Sequence, residues 1–112
     1  MPENTSSWPG ALADGVYRIV QEGVLNAARH ADPSLISVDV MAEGETVTVR
    51  ISDDGRGFPF RGTYDLDALN AMNQGPLTIK ERVAELQGAL ELRSSETGTD
   101  LTIALPLTPA AA

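Results

Sequence analysis

Two stretches hold residues whose types and spacing could do chemistry. Glu22, Asn26, Arg29 and His30 stand three or four residues apart within "YRIVQEGVLNAARHA", a spacing that gathers side chains on one side of a helix. A carboxylate and an amide one turn apart, Glu22 and Asn26, offer hard oxygens of the kind Mg²⁺ takes together with phosphate oxygens. Arg29 and His30, a turn further on, suit phosphate charge. The plain alternative is a solvated polar face. The second stretch is "ISDDGRGF", residues 51 to 58. Asp53 stands where an alternating strand pattern stops, placed to accept hydrogen bonds from an amino group such as the exocyclic amine of adenine. Gly55 and Gly57 would let backbone approach a flat ring closely; an ordinary acidic turn is the competing reading.

Two further features lie downstream. Gly75 closes a long aperiodic stretch and Pro76 suits the first turn of a helix, whose exposed N–H groups attract phosphate. Lys80, the only lysine, reads as a surface charge on that helix. Gly98-Thr99 precedes the last strand, where Thr99 could set a hydroxyl beside a bound base or simply serve the turn.

The elements that must position these residues follow from periodicity. Leu12, Val16, Ile19, Val20, Val24, Ala27 and Ala31 form an apolar stripe over residues 11 to 31, with the polar set opposite it, and Asp32-Pro33 stops the helix. Ile36, Val38 and Val40 alternate with polar neighbours, "AEGE" turns the chain, and Val47, Val49 and Ile51 continue as a second strand. Residues 52 to 75 carry four glycines and little periodicity, with a short helix from Asp65 to Met72. Ile79, Val83, Leu86 and Leu90 give another helical face, with Gly88 as its terminating residue. Leu90 and Leu92, then "SSETG", then Leu101, Ile103 and Leu105 make a second hairpin. The expected fold is α+β, a two-layer sandwich with helices on one face of a mostly antiparallel mixed sheet. Residues 1–10 read as a frayed start, 11–107 as the domain and 108–112 as a tail.

Composition excludes several classes. Sixteen acids against 8 bases give a net charge of −8, which repels nucleic acid. With no cysteine and one histidine there is no thiolate zinc site, disulfide framework or cysteine nucleophile. The absence of cysteine is compatible with a cytoplasmic location. The first ten residues do not form a signal peptide, and no apolar run is long enough to span a bilayer, so no membrane contact is expected of this segment. G-x-x-x-x-G-K-[ST] is absent.

In order and spacing these pieces resemble the ATP-binding catalytic domain of two-component sensor histidine kinases, the fold shared with DNA gyrase B, heat-shock protein 90 and MutL. "YRIVQEGVLNAARHA" is similar to the family's N box, "DDGRGF" to its first glycine box, and "GPLTIKERVAELQGALELRSSETGTDLTIALPL" to the second glycine region and closing hairpin. The subtype resembled is that of the nitrate and desaturase sensors. The resemblance implies ATP and Mg²⁺ as cofactors. It implies Asn26, with Glu22, at the metal, and Glu22 as the residue that orients or takes a proton during phosphoryl transfer. It further implies Arg29 and His30 near the phosphates, Asp53 on the adenine amine with help from a water and Thr99, Gly55 and Gly57 in the pocket wall, and 59–75 as an ATP lid hinged at Gly75. The phosphoacceptor is implied to be a histidine on a separate dimerisation domain, which then serves a response regulator, the isolated domain being a monomer. Pro76 and Thr78 depart from the family's G-L-x-G-M-R-E-R pattern, stiffening the hinge and crowding the phosphates. Two other readings stay open: a serine kinase of the anti-sigma-factor type, and a degenerate, non-catalytic nucleotide-binding module.

Overall fold

The computed structural model describes residues 10–30, 35–55, 61–72 and 76–107. Helix α1 (Gly10–His30) leads into β1 (Ile36–Glu43) and β2 (Thr46–Asp53), then β3 (Gly62–Asp65), α2 (Leu66–Met72), α3 (Leu77–Glu85), β4 (Ala89–Ser95) and β5 (Gly98–Pro106). The five strands lie in the order β1-β2-β5-β4-β3. Every pairing among them is antiparallel, so the sheet is not mixed as expected.

Register explains the core. The alternating apolar residues of neighbouring strands stand opposite one another, Val49 against Val40 and Ile103, and Ile103 against Leu90. Val47 pairs in the same way with Leu105, and Ile51 with Leu101. These rows are buried beneath Leu12, Val16 and Ile19 of α1, Leu69 of α2 and Ile79 and Val83 of α3. Each such side chain contributes about 1.5–3 kcal/mol by leaving water. The other sheet face is polar and open. The apolar stripe of α1 divides: Leu12, Val16, Ile19 and Ala27 are buried, Val20 and Val24 half-buried, and Ala31 lies outside the described residues.

Four expectations change. Gly10 already belongs to α1. The segment read as an ATP lid contains ordered structure: β3 pairs with β4, and Leu69 of α2 is fully buried. The expected short helix is α2; Pro59, Phe60 and Asn73 to Gly75 lie outside the described residues. The second hairpin is tighter than "SSETG" suggests, because both serines belong to β4 and only Glu96 and Thr97 turn. Finally, Gly88 does not take the left-handed position that ends α3. Gln87 does, at φ 58°, with Gln87 N–H donating to the Ala84 carbonyl at 3.1 Å and Gly88 N–H to the Val83 carbonyl at 2.9 Å. That is a Schellman ending. Gly88 is needed instead for contact with β5, since a Cβ there would lie 2.7 Å from the Ala104 carbonyl oxygen.

Candidate functional site

The packing of α1 sets which end of the sheet it reaches. A Cβ on Gly15 would run into the Leu86 side chain, and one on Gly23 would meet Ile51 Cδ1 at 2.3 Å. Leu86 and Gly88 lie at the Ala104–Leu105 end of the sheet. Thus α1 starts at that end, crosses β2 at Gly23, and finishes near Asp53. The chain after α1 confirms the direction. Leu35 donates its N–H to Asp54 Oδ1 at 3.0 Å, and Ile36 pairs with Asp53. Since α3 ends beside Gly15, it begins at the Asp53 end as well. Three features converge there: the last turns of α1, the first turn of α3 and the ends of β2, β5 and β4.

At that end the aliphatic rows of the covered face give way to a polar one. Asp53 follows Val47, Val49 and Ile51 on one face of β2, Thr99 precedes Leu101 and Ile103 on β5, and Ser94 follows Leu90 and Leu92 on β4. Asp53 pairs with Thr99, and Thr99 with Ser94. At about 4.8 Å per strand the row spans roughly 10 Å. Thr99 is 9% exposed and Ser94 3%.

Asp53 is held in one orientation. Its Oδ1 accepts the Gly55 N–H at 2.9 Å, and Gly55 itself is buried. That contact leaves Oδ2 as the free acceptor, with no partner among the described residues. The Thr99 hydroxyl likewise has none, nor do the half-buried side chains of Glu22 and Asn26. No buried side-chain nitrogen or oxygen among the described residues lacks a partner, so these unpartnered atoms keep contact with solvent and can be reached by a polar ligand.

Glu22 and Asn26 do not stand on a solvated face opposite the apolar stripe. They border it, flanking the buried Gly23 and Ala27. Arg29 is exposed; nothing is described of the His30 side chain, and Gly57 and Gly75 lie outside the described residues. Among the described residues no three histidine, cysteine or carboxylate side chains cluster closely enough to hold a metal by themselves. The donors present, one carboxylate and one amide, fit a cation that draws its remaining ligands from phosphate and water, as Mg²⁺ does. Lys80, read from the sequence as a surface charge, is instead buried at 7% exposure in the first turn of α3.

In the sequence reading Gly98 is only a turn residue before Thr99. It has φ 153°, and a Cβ there would lie 2.1 Å from the Asp53 carbonyl oxygen and 3.3 Å from Asp54 Cα. Only glycine lets β5 approach β2 closely enough to set Thr99 beside Asp53. The signal available was its place directly before Thr99 at a strand start.

The open face carries a separate feature. Arg50 donates to Asp100 through Nε at 2.9 Å and Nη2 at 2.6 Å, and the Ser52 hydroxyl donates to the same carboxylate at 2.9 Å. The hydrogen bonds from Arg50 hold the Asp100 carboxyl below its ordinary range, against the opposing effect of partial burial. A shallow depression of about 310 Å³ lies here, lined by Arg50, Glu91, Arg93, Asp100 and Thr102. Its charges already satisfy one another, and it lies on the far side of the sheet from Asp53.

Residues 11–109 match the family model of histidine kinase-, DNA gyrase B- and HSP90-like ATPases. The chain belongs to that family. Among curated members, it is 31% identical over 99 residues to the sensor histidine kinase LiaS of Bacillus subtilis, covering 88% of this chain and 26% of that protein. It is 34% identical over 91 residues to the sensor histidine kinase MctS of Rhizobium johnstonii, covering 81% of this chain and 19% of that protein. The histidine kinase domain of the blue-light-activated kinase EL346 of Erythrobacter litoralis superposes with a TM-score of 0.71 at 27% identity, over 88% of this chain and 49% of that one. The chain therefore spans about a quarter or less of the curated kinases it matches. As a histidine kinase-like ATPase domain it has the family's α+β fold. No helix among its described residues is long and apolar enough to cross a membrane.

Proposed function

We propose that this domain binds Mg·ATP at the Asp53 end of the covered sheet face and passes the γ-phosphoryl group to a histidine on a separate dimerisation domain. That domain would in turn serve a response regulator in two-component signalling in the cytoplasm. The observation that carries this reading is the meeting, at one end of the fold, of the Asp53 carboxylate at the end of β2 with the oxygen donors Glu22 and Asn26 on α1. Asp53 accepts the adenine N6 amine on Oδ2, with Thr99 beside it, and Gly55 and Gly57 form the wall of the base pocket. Asn26 and Glu22 face the phosphates from α1. Arg29 and His30, one turn further on, meet their charge, and the start of α3 after Gly75 supplies backbone N–H groups. Mg²⁺, when bound, neutralises charge on the phosphate oxygens.

The domain's own work is positioning and charge stabilisation. Glu22 orients the incoming imidazole or takes its proton as the N–P bond forms and the bond from the γ-phosphorus to ADP breaks. The only histidine of this chain is His30, which this reading places at the phosphates, so the acceptor comes from another segment.

The test is transfer in trans. Incubated with Mg²⁺, γ-labelled ATP and the histidine-bearing dimerisation segment of a sensor histidine kinase, the domain is expected to label that segment with an acid-labile, base-stable phosphoramidate. It should acquire no label itself. Asn26→Asp should slow transfer about 100-fold or more while changing ADP affinity less than tenfold, because it alters the phosphate end and not the base end. Acid-stable label on serine, or label on the isolated domain, would overturn the proposal.

A further inference from the structure

Asp53 and Thr99 form the last rung of a ladder. β2 and β5 pair from Thr46–Pro106 to Asp53–Thr99, where β2 ends and only Gly98 of β5 remains. An end rung is held from one side only and opens most readily. The rung just inside it pairs Ser52 with Asp100. Neighbours along a strand point to opposite faces, so these two side chains stand on the open face of the sheet. There the Ser52 hydroxyl donates to Asp100 Oδ1 at 2.9 Å. Arg50 donates to the same oxygen through Nε at 2.9 Å and to Oδ2 through Nη2 at 2.6 Å. Among the described residues these are the side-chain hydrogen bonds that join β2 to β5.

We infer that Asp100, gripped by Arg50 and Ser52, is a positioning residue for base recognition: from the open face it holds shut the rung that sets Thr99 beside Asp53. This rests on the adenine-nucleotide reading above. Both residues of the clamped rung are covalent neighbours of the residues at the base, Ser52 of Asp53 and Asp100 of Thr99. The two partners of Asp100 resist different movements. Ser52 stands directly opposite, so its bond opposes parting of the strands. Arg50 pairs with Thr102 and reaches Asp100 on the diagonal, so its fork opposes sliding of one strand along the other. A bidentate guanidinium–carboxylate pair is the kind that keeps its value near a surface, and the Asp100 side chain is only 27% exposed. The nucleotide touches none of the three side chains. The phosphate end, with Glu22 and Asn26 on α1, lies outside this ladder.

The measurement is the ratio of ADP to inosine diphosphate affinity, by calorimetry with Mg²⁺. Inosine carries a carbonyl where adenine has the N6 amine, so its diphosphate gains nothing from the Asp53 carboxylate. Asp100→Ala, which removes all three bonds, is expected to weaken ADP about tenfold, and Ser52→Ala about threefold. Inosine diphosphate should change less than twofold in both, so the selectivity ratio falls. Ser52→Thr, which keeps the hydroxyl, should stay within twofold of wild type for both ligands. Ile103→Val, in the core of β5, lowers stability without touching the clamp and should leave the ratio unchanged. A wild-type ratio in Asp100→Ala, or an equal fall in Ile103→Val, overturns the inference, because loosening of the whole domain would then account for the data. Asp53→Asn in the same series separates the two layers of the claim. If it binds ADP as wild type does, the adenine reading has failed and the inference with it. If it loses ADP while Asp100→Ala keeps the wild-type ratio, only the role of Asp100 has failed.

Discussion

Asp53→Asn is expected to weaken ADP binding by about 30-fold to 1000-fold while leaving the fold intact. The reason lies in the Gly55 N–H, which donates to Asp53 Oδ1 at 2.9 Å. In an asparagine at this position the side-chain carbonyl is the only acceptor, and the Gly55 N–H claims it. The NH₂ group then occupies the place of Oδ2 and points a donor at the N6 amine, itself a donor. The charged acceptor is lost and two donors face each other, a change of about 2–4 kcal/mol, or from about 30-fold to about 1000-fold in affinity. Because the contact with Gly55 survives, the melting temperature should move by no more than a few degrees. Calorimetric titration with ADP and a melting curve on the same sample check both halves. Retained affinity would mean that no adenine amine lies at this carboxylate.

Gly98→Ala is expected to act on both stability and binding. At φ 153° an alanine is strained on backbone grounds alone, and its Cβ would fall 2.1 Å from the Asp53 carbonyl oxygen. Backbone cannot yield as the end of a flexible side chain can, so β5 must draw away from β2 at the Asp53–Thr99 pair. Strain of this kind costs about 1–3 kcal/mol, and the lost ladder contacts add to it. A fall in melting temperature of about 10–15 °C follows for a domain of this size. ADP affinity, measured at 10 °C where the variant remains folded, should drop at least tenfold because the Thr99 hydroxyl no longer stands beside Asp53. An alanine variant that melts with wild type would show that the strands at this point are further apart than described.

Much of the frame was legible because burial on one face leaves a period in the sequence. Val47, Val49 and Ile51 in β2, and Leu101, Ile103 and Leu105 in β5, mark both strands and their inward faces. The α1 stripe did the same with a helical period. Asp53 and Thr99 could be marked as candidates by residue type at strand ends, and antiparallel pairing then brings them together. What could not be read depends on contacts between distant segments. β3 is four residues, Gly-Thr-Tyr-Asp, with no apolar alternation; it is a strand only because β4 offers an edge to pair with. Lys80 shares the buried face of α3 with Ile79 and Val83, and a charged residue type suggests the opposite. Glu22 and Asn26 looked like a polar face, but the close approach permitted by Gly23 draws both to the border of the buried one. Ser94 was hidden in a serine pair assigned to a turn, although extending the Leu90–Leu92 alternation by one step would have pointed it inward. Gly98 matters through a carbonyl some 45 positions earlier in the chain, which no local pattern reveals.

Amide chemical-shift mapping with Mg²⁺ and a non-hydrolysable ATP analogue tests the location of the site most directly, because the two faces of the sheet offer different residues. Binding at the covered face predicts the largest shifts at Asn26, Gly55, Ser94 and Thr99, with Arg50, Glu91 and Thr102 nearly unmoved. The largest shifts at Arg50, Glu91 and Thr102, or no shift at Gly55 and Thr99 at saturating nucleotide, would contradict it.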